Sequence, residues 1–570
     1  MKHVRVDYYS ITIKNEMIKP LILLVVLVVL SLTSTFSLAE TTLLKNVNGY
    51  TLVNQKLKSF SAIQFTDDKI DKLFARADKL QSHKSLTVID GLGKTLLPGL
   101  IDAHGHVLSY GQSLLTADLV NTLSEQDAVS KVVKHAQVNN SKTWIQGRGW
   151  NQVQWPSNEY PTAKTLDKYF PNTPVWLERI DGHAGWANSK AMELSGISSQ
   201  TKTPSGGDII RDSEGKPIGV FIDNAMDLIL SNIAKPTKKE NKNALITAMN
   251  SLASLGLTSV HDAGISQNEL VLYKELASEN NMAIRINAML YLPTDNWAQV
   301  LNEGLYRSKD NMLTFNSVKI QADGALGSRG AALIDDYSDQ HGHRGLLLHN
   351  KSDLTHFIET AMTKGFQVNT HAIGDNANKI VLDSYEEYID KTSSAHLRHR
   401  VEHAQVLRLK DIPRFKTLNV IASMQATHAT SDKNMAQDRL GPERILGAYA
   451  WRKLLQAKAV IAAGSDFPVE SPNPFFGLHA SVTRQDHKNQ PVGGWFSDQK
   501  MTLIEAFNTL TYSAAYSAHQ ENLIGTLEKG KKADFILVED DPFNIAEAKL
   551  WKNQVITTWV NGKKVYSKTQ

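Results

Sequence analysis

The chain has 570 residues, a formal net charge of +4 and no cysteine. That length exceeds one ordinary domain and accommodates a large barrel with a smaller domain beside it. The chain has no long run of Lys and Arg, so we do not expect nucleic acid as a partner. Without cysteine there are no disulfides, and a metal would be held through nitrogen and oxygen ligands, as suits zinc, manganese or iron.

The N-terminus has the pattern of a secretory signal. Lys14 and Lys19 precede an apolar run over Leu21–Leu32, and Ser37–Ala39 forms a small-x-small cleavage site. We therefore predict that residues 1–39 are a signal peptide and that the protein is exported, with the periplasm as the expected compartment. The alternative is a retained membrane anchor, which the shortness of the apolar core disfavours. No membrane association is expected after cleavage.

Both ends of the remaining chain are typical of short strands and turns. Residues 40–96 contain several brief apolar runs. Residues 524–570 contain the strand-like segment Phe535–Val538, followed by two apolar runs on either side of Asn561-Gly562. Asn-Gly between apolar runs is a strong hairpin signal. We predict that these two segments pair into one small β-sandwich.

The middle of the chain, residues 97–523, alternates apolar strand-like runs with helix-like segments. Eight strands separated by helices predict the α/β class and a (β/α)8 barrel of the TIM type. Roughly 150 residues separate the first run from the second. We expect a large insertion there, at about 107–250, forming a lid over the barrel mouth. The predicted strands are 97–103, 258–262, 284–290, 317–322, 367–370, 399–403, 420–425 and 460–465.

The tripeptide His104-Gly105-His106 closes the first predicted strand. A strand alternates faces with period two, so both imidazoles point the same way, and two converging imidazoles are half of a zinc site. A surface turn with two solvated histidines is the alternative for this tripeptide alone. Further ligand-type residues lie in or at the ends of other predicted strands, namely Lys319, His371, His403 and Asp466.

Active-site residues of a barrel come from the carboxyl ends of its strands, so we predict that these side chains meet around one or two divalent metal ions, with zinc the first expectation. Neutral imidazole binds zinc, whereas Lys319 could do so only as a carbamate. Zinc lowers the pKa of water from about 15.7 to about 7, which supplies hydroxide at neutral pH. Asp466 would accept that water's proton as general base. Taken singly, Lys319 could instead pair with Asp323, and Asp466 could cap a helix.

Five segments carry these residues in recognisable motifs. They are Pro-Gly-Leu-Ile-Asp-Ala-His-Gly-His (98–106), Lys-Ile-Gln-Ala-Asp-Gly-Ala-Leu-Gly-Ser-Arg (319–329), His-Ala-Ile-Gly-Asp (371–375), Glu-His-Ala-Gln (402–405) and Gly-Ser-Asp-Phe-Pro-Val (464–469). Together they resemble the amidohydrolase superfamily, and specifically the amidohydrolase-3 group that includes N-substituted formamide deformylases. The resemblance implies that the metal ligands are His104, His106, Lys319 as carbamate, His371, His403 and Asp466.

A segment of the insertion, Asp181–Asn188, also resembles a motif of this group. The resemblance implies that His183 reaches into the pocket to polarise the scissile carbonyl or to orient the substrate; a structural histidine on a loop is the alternative. Trp150 is a candidate for lining the pocket, although aromatic residues in a lid serve as often in packing. Asp323 and Arg329 are candidates for binding substrate or orienting their loop.

The leading functional hypothesis is a metal-dependent hydrolase that cleaves a non-peptide C–N bond, such as an amide or an N-acyl or N-formyl group, in a small-molecule substrate. An esterase or cyclic-amide hydrolase using the same site is the first alternative. A non-catalytic exported protein acting in regulation or binding is the second, and the complete ligand set argues against it. The sequence leaves open whether the chain forms a homodimer.

Overall fold

Within the described part of the chain, the strands form three sheets: a parallel barrel, a sheet inside the insertion, and a sheet built from both chain ends. No helix of that part is both long and apolar enough to cross a membrane. The computed structural model describes residues 1–7, 40–75, 86–139, 144–152, 155–179, 184–204, 207–327 and 329–568.

The barrel strands are parallel, and each one pairs with its neighbour in chain order. We number them β1 (Leu100–Gly105), β2 (Leu257–Ile265), β3 (Arg285–Leu292), β4 (Leu313–Gln321), β5 (Gln367–Ala372), β6 (Arg400–His403), β7 (Ile421–Gln425) and β8 (Ile461–Gly464). All residues of β1, β5, β6 and β7 are buried, as expected for a parallel sheet covered on both faces. The predicted α/β class and the parallel eight-stranded barrel are therefore confirmed.

The barrel closes between β1 and the segment that follows β8. The backbone N–H of Asp466 donates to the carbonyl of His104 over 2.7 Å. Gly105 forms a parallel bridge with Phe467, and a Cβ at Gly105 would lie 2.1 Å from the Phe467 ring. Only glycine therefore fits between the two histidines of β1, because the closing segment passes too close for any side chain.

Helices lie between the barrel strands and after β8. Lys238–Ser254, before β2, begins with a capping box in which Thr237 and Glu240 satisfy each other's backbone N–H groups. Its buried residues, among them Leu245, Met249 and Leu252, repeat at helical spacing and pack on the barrel. The other helices are Val107–Leu114, Gln267–Ser278, Trp297–Asn302, Lys351–Thr363, Asp375–Lys391, Ile412–Thr417, Ala426–Asp432, Ala436–Arg444, Trp451–Gln456, Pro474–Thr483, Leu503–Thr509 and Tyr512–Ser517.

The insertion after β1 has its own sheet and its own apolar core, in which Trp150, Trp155 and Trp186 are buried together. The order of strands across this sheet is Gly207–Arg211, Pro217–Asp223, Ala184–Ala187, Val175–Arg179, Ile145–Trp150 and Ala117–Asp118. Its helices are Glu125–Asn139, Ala163–Asp167, Ser189–Leu194 and Asp227–Leu230. That this unit acts as a lid over the barrel mouth stays a prediction.

Both chain ends contribute to the third sheet. Its strands are Thr41–Val53, Lys56–Thr66, Lys69–Phe74, Leu86–Asp90, Thr95–Pro98, Phe535–Val538, Val555–Val560 and Lys563–Ser567. The two ends join where Thr95–Pro98 pairs antiparallel with Phe535–Val538. The sequence predicts one small β-sandwich from the two ends. In hydrogen bonding their strands form one sheet, in which the Phe65 ring lies 5.6 Å from Phe535 and 5.8 Å from Trp559.

A buried ion pair connects this sheet to the barrel. The guanidinium of Arg285, at the start of β3, donates to both carboxylate oxygens of Asp534 over 2.7 and 3.1 Å, and both side chains are almost fully buried. Asp534 also accepts from the backbone N–H of Asn561, in the predicted hairpin turn. The end sheet is thereby held at the amino-terminal end of the barrel strands, opposite the end that carries the candidate ligands.

Candidate metal centre

His104 lies near the carboxyl end of β1, and His106 follows directly after it. His104 is fully buried, whereas the His106 side chain is 34% exposed. Asp102 stabilises this end of β1, because its carboxylate accepts from the backbone N–H of His104 and from the hydroxyl of Ser465. Burial, partly offset by these bonds, raises the pKa of Asp102 to about 7. The barrel closure and the placement of His104 therefore depend on the same carboxyl group.

His104 is oriented by a buried carboxylate. Its Nδ1 lies 2.5 Å from Oε2 of Glu402, and Glu402 in turn lies 3.2 Å from the guanidinium of Arg400. Burial alone would raise the pKa of Glu402, but Arg400 and His104 hold it at about 2, so this carboxylate is charged at neutral pH. With the Nδ1 proton directed to Glu402, the Nε2 lone pair of His104 is free to bind a cation.

Lys319, in β4, points at the same imidazole. Its Nζ lies 3.3 Å from Nε2 of His104, and its side chain is buried. Burial lowers the pKa of Lys319, against the opposing effect of Glu402 and Asp466. Burial and the charge of Lys319 also lower the pKa of His104 to about 4, so that imidazole is neutral near pH 7.

His403 and Asp466 both have a left-handed backbone, with φ of 71° and 62° respectively. Such strain costs about 1–3 kcal/mol for a residue other than glycine and is typical of functional sites. Nδ1 of His403 lies 2.8 Å from the Oε1 of Gln425, which orients this ring as Glu402 orients His104. Burial would raise the pKa of Asp466, but its hydrogen bond with His106, at 3.0 Å, and the histidines around it hold that pKa well below its usual value.

His371 is the penultimate residue of β5 and packs beside His403, with ring centroids 4.4 Å apart. Its Nε2 lies 3.5 Å from Oδ1 of Asp323. Asp323 is fully buried and accepts backbone N–H groups from Ile373, Gly374 and Ala332. Burial nevertheless raises the pKa of Asp323 to about 7. Asp323 thus links the loops after β4 and β5 behind His371, and it has the contacts of a structural residue.

Two groups of three side chains in the described part of the chain bring ligand atoms within 4.8 Å of one another: His104 with His106 and Asp466, and His403 with His428 and Asp466. Neutral imidazoles and an ionised carboxylate are ligands that zinc accepts, so this donor set fits a divalent cation. The set of metal ligands predicted from the sequence does not include His428. It lies one helical turn after the end of β7, and a histidine three residues beyond Gln425 was the available signal.

Two further predicted site residues, Trp150 and Arg329, lie outside the two groups of ligand atoms. Trp150 is fully buried in the core of the insertion, where its indole N–H donates to the carbonyl of Leu177, so packing accounts for it. The guanidinium of Arg329 is held by Asp339 over 2.8 Å. Neither residue belongs to the groups described above. His183 lies outside the described residues.

Metal-dependent hydrolases are a class of protein that this parallel barrel fits, with histidines and a carboxylate at the carboxyl ends of its strands. Residues 87–566 match the amidohydrolase family. The chain therefore belongs to the amidohydrolase family, in the amidohydrolase-3 group predicted from its motifs.

Individual relatives cover most of the chain. It is 34% identical over 487 residues to Protein LONG AFTER FAR-RED 3 of Arabidopsis thaliana, covering 83% of this chain and 82% of the relative. It is 26% identical over 496 residues to the N-substituted formamide deformylase of Arthrobacter pascens, covering 85% and 90%. A crystal structure of an uncharacterized metal-dependent hydrolase from Pyrococcus horikoshii OT3 superposes with a TM-score of 0.71 at 27% identity, covering 89% of this chain and 99% of that one.

Proposed function

We propose that this protein is a metal-dependent hydrolase that cleaves a non-peptide C–N bond, such as an amide or an N-acyl or N-formyl group, in a small molecule. The observation that carries the proposal is the convergence of His104, His106 and Asp466 on one point at the barrel mouth, with Lys319 beside them. The choice of a C–N bond is supported by the similarity to the formamide deformylase of Arthrobacter pascens.

His104, His106 and Asp466 would hold the first cation, with zinc as the expected metal. A bound divalent cation lowers the pKa of water toward neutrality and polarises a carbonyl oxygen. The amine of Lys319 lies close to His104, and burial lowers its pKa, which favours the neutral amine that would add to carbon dioxide and lose a proton to form a carbamate. The carbamate would replace the positive charge of the Lys319 ammonium with a negative charge among the metal ligands.

Asp466 would be the general base. Its carboxylate is ionised and is 11% exposed in the side chain, so it can reach a water molecule beside the cluster. It would take the proton of the attacking water on a carboxylate oxygen and return it to the nitrogen of the leaving amine as the C–N bond breaks. His183 remains our sequence-based proposal for the residue that orients the substrate carbonyl.

We also propose that the protein is exported, with residues 1–39 as the signal and the periplasm as its compartment. The support is the sequence alone: a basic segment, an apolar run and a small-residue cleavage site. A small molecule is the expected partner, and we expect no membrane association once the signal is removed.

Metal removal tests the function. We expect protein treated with a chelator to lose turnover of a panel of amides and N-formyl amines, and to regain it with zinc or manganese. The variant His104→Ala/His106→Ala should bind less metal and show no turnover, while Glu386→Gln, a change at an exposed residue, should behave as wild type. Hydrolysis of esters alone would select the alternative chemistry, and full turnover by the double variant would contradict the proposed site.

A further inference from the structure

A buried carboxylate of the neighbouring strand holds the chain directly after His106. Asp262 lies in β2, level with Gly105 in the parallel pairing of β1 and β2, and is 2% exposed. Its Oδ1 accepts the backbone N–H of Val107 over 3.0 Å, and its Oδ2 accepts the hydroxyl of Tyr273 over 2.6 Å. Both carboxylate oxygens therefore have a partner, and one of these partners is the residue next to a candidate ligand.

The helix Val107–Leu114 receives its cap from Asp262. The first backbone N–H groups of a helix have no partner within it, and the side chain of the N-cap residue usually accepts one of them. Here the N-cap residue is His106, whose side chain makes no such bond. Its Nε2 lies instead 3.0 Å from Oδ1 of Asp466. Because Asp262 caps the helix from another strand, the imidazole of His106 is left for the candidate metal centre.

The second half of this helix is fixed by a different contact. A Cβ at Gly111 would lie 2.0 Å from the carbonyl oxygen of Ala244, in the helix Lys238–Ser254, so the two helices approach as closely as glycine allows. That packing does not involve Asp262. Loss of the Asp262 carboxylate should therefore displace the first turn of the helix, with His106, and leave the packing at Gly111 intact.

We infer that Asp262 is a positioning residue for the metal centre, which sets the place of His106 through the backbone N–H of Val107. The inference rests on the proposed metal-dependent hydrolase. The bond to Tyr273 aligns the carboxylate for this role. An asparagine at position 262 can still accept from Val107 through its amide oxygen, whereas an alanine leaves that N–H without an acceptor.

Metal affinity, from competition between protein and a chelator for zinc, provides the main test. We expect Asp262→Ala to lower the affinity by roughly 10-fold, the lower end of the usual cost of losing a group that supports a ligand. Asp262→Asn should keep most of the affinity. Tyr110→Phe is the control, because it removes a hydroxyl of the same helix that contacts Ser251, and it should bind zinc as wild type does. Equal affinity in Asp262→Ala and wild type, or equal loss in the alanine and asparagine variants, would overturn the inference.

A double-mutant cycle separates positioning from a general structural role. If Asp262 acts through His106, Asp262→Ala should change the zinc affinity much less in the His106→Ala background than in wild type. In the His403→Ala background the full loss should persist. An equal loss in all three backgrounds would show that Asp262 only supports the fold.

A crystal structure of metal-free Asp262→Ala tests the geometry directly. Nε2 of His106 should move away from Asp466, while Gly111 keeps its place; an unmoved His106 would contradict the inference. If Asp262→Ala does not fold, Tyr273→Phe is the second variant, which releases Oδ2 of Asp262 and should weaken zinc binding in the same direction. Unchanged affinity in a folded Tyr273→Phe would then count against the inference. Wild type that binds zinc as tightly as do all these variants defeats the inference alone, and wild type that binds none defeats the proposed function as well.

Discussion

At the scale of single residues, the candidate site depends on groups that lie behind the candidate ligands. Glu402 accepts the Nδ1 proton of His104 and pairs with buried Arg400. In Glu402→Gln the acceptor loses its charge, so the imidazole is held less firmly and is a weaker ligand. We expect metal affinity to fall by roughly 10–100-fold, which is the usual cost of losing such a partner.

Competition with a chelator of known affinity would measure this change. Glu386→Gln is the matched control, because Glu386 is 61% exposed and pairs with Arg414 at the surface. Unchanged metal affinity in Glu402→Gln, at unchanged folding, would mean that Glu402 serves only to neutralise Arg400.

Most of the candidate ligands could be predicted because the end of a strand is visible in a sequence. His104 and Asp466 follow apolar runs, His403 ends a short strand-like segment, and the parallel topology brings such ends together. His428 could not be predicted in this way, since it lies in the helix Ala426–Asp432, which follows β7 directly, and not at the end of a strand. For Trp150 the residue type alone was misleading. A tryptophan in a predicted lid suggests a binding pocket, but Trp150 packs in the insertion's own apolar core.

At the scale of elements, the loops after β4 and β5 are held together by one carboxylate. Oδ1 of Asp323 accepts from the N–H of Ile373, and Oδ2 accepts from Gly374 and Ala332. Asp323→Asn replaces one acceptor oxygen with an N–H₂ donor, so at least one buried backbone N–H loses its partner. We expect a local loss of stability of about 1–3 kcal/mol.

Hydrogen exchange followed by mass spectrometry would detect this change, as faster exchange in the peptides that contain Ala332 or Ile373 and Gly374. Asp353→Asn, at an exposed carboxylate in the helix Lys351–Thr363, is the control and should leave these peptides unchanged. Equal protection in Asp323→Asn and wild type would show that the two loops are held by packing instead.

The boundaries of elements were less predictable than their existence. The run predicted at 97–103 is divided between two sheets: Thr95–Pro98 belongs to the end sheet, and β1 begins at Leu100. Proline has no backbone N–H to continue a ladder, so the chain leaves one sheet at Pro98 and enters the other after Gly99. A hydrophobic pattern cannot show this division, because the residues on both sides of it are buried and apolar.

At the scale of the whole molecule, acid should destabilise the fold through histidines that are buried without charge. His399 is 1% exposed, its Nδ1 accepts the N–H of Val368 over 3.0 Å, and its Nε2 lies 3.0 Å from the hydroxyl of Ser394. Burial, with a smaller effect of nearby histidines, lowers the pKa of His399 to about 3. In the unfolded chain the pKa of histidine is about 6.5. Between these two values only the unfolded state binds the proton.

The free energy of unfolding should therefore fall as the pH falls below about 6.5, by about 1.4 kcal/mol per pH unit from this one residue. In His399→Asn the side-chain amide can still accept from Val368 but cannot be protonated, so that part of the pH dependence should disappear. The difference in the free energy of unfolding between wild type and variant, from urea unfolding at each pH, should change by about 2 kcal/mol in favour of the variant between about pH 7 and pH 5.

Histidines of the metal cluster titrate alike in both proteins and cancel in the difference. His396→Asn, at an exposed histidine in the same turn, is the control and should run parallel to wild type. If His399→Asn also runs parallel, His399 is not the residue through which acid destabilises this fold.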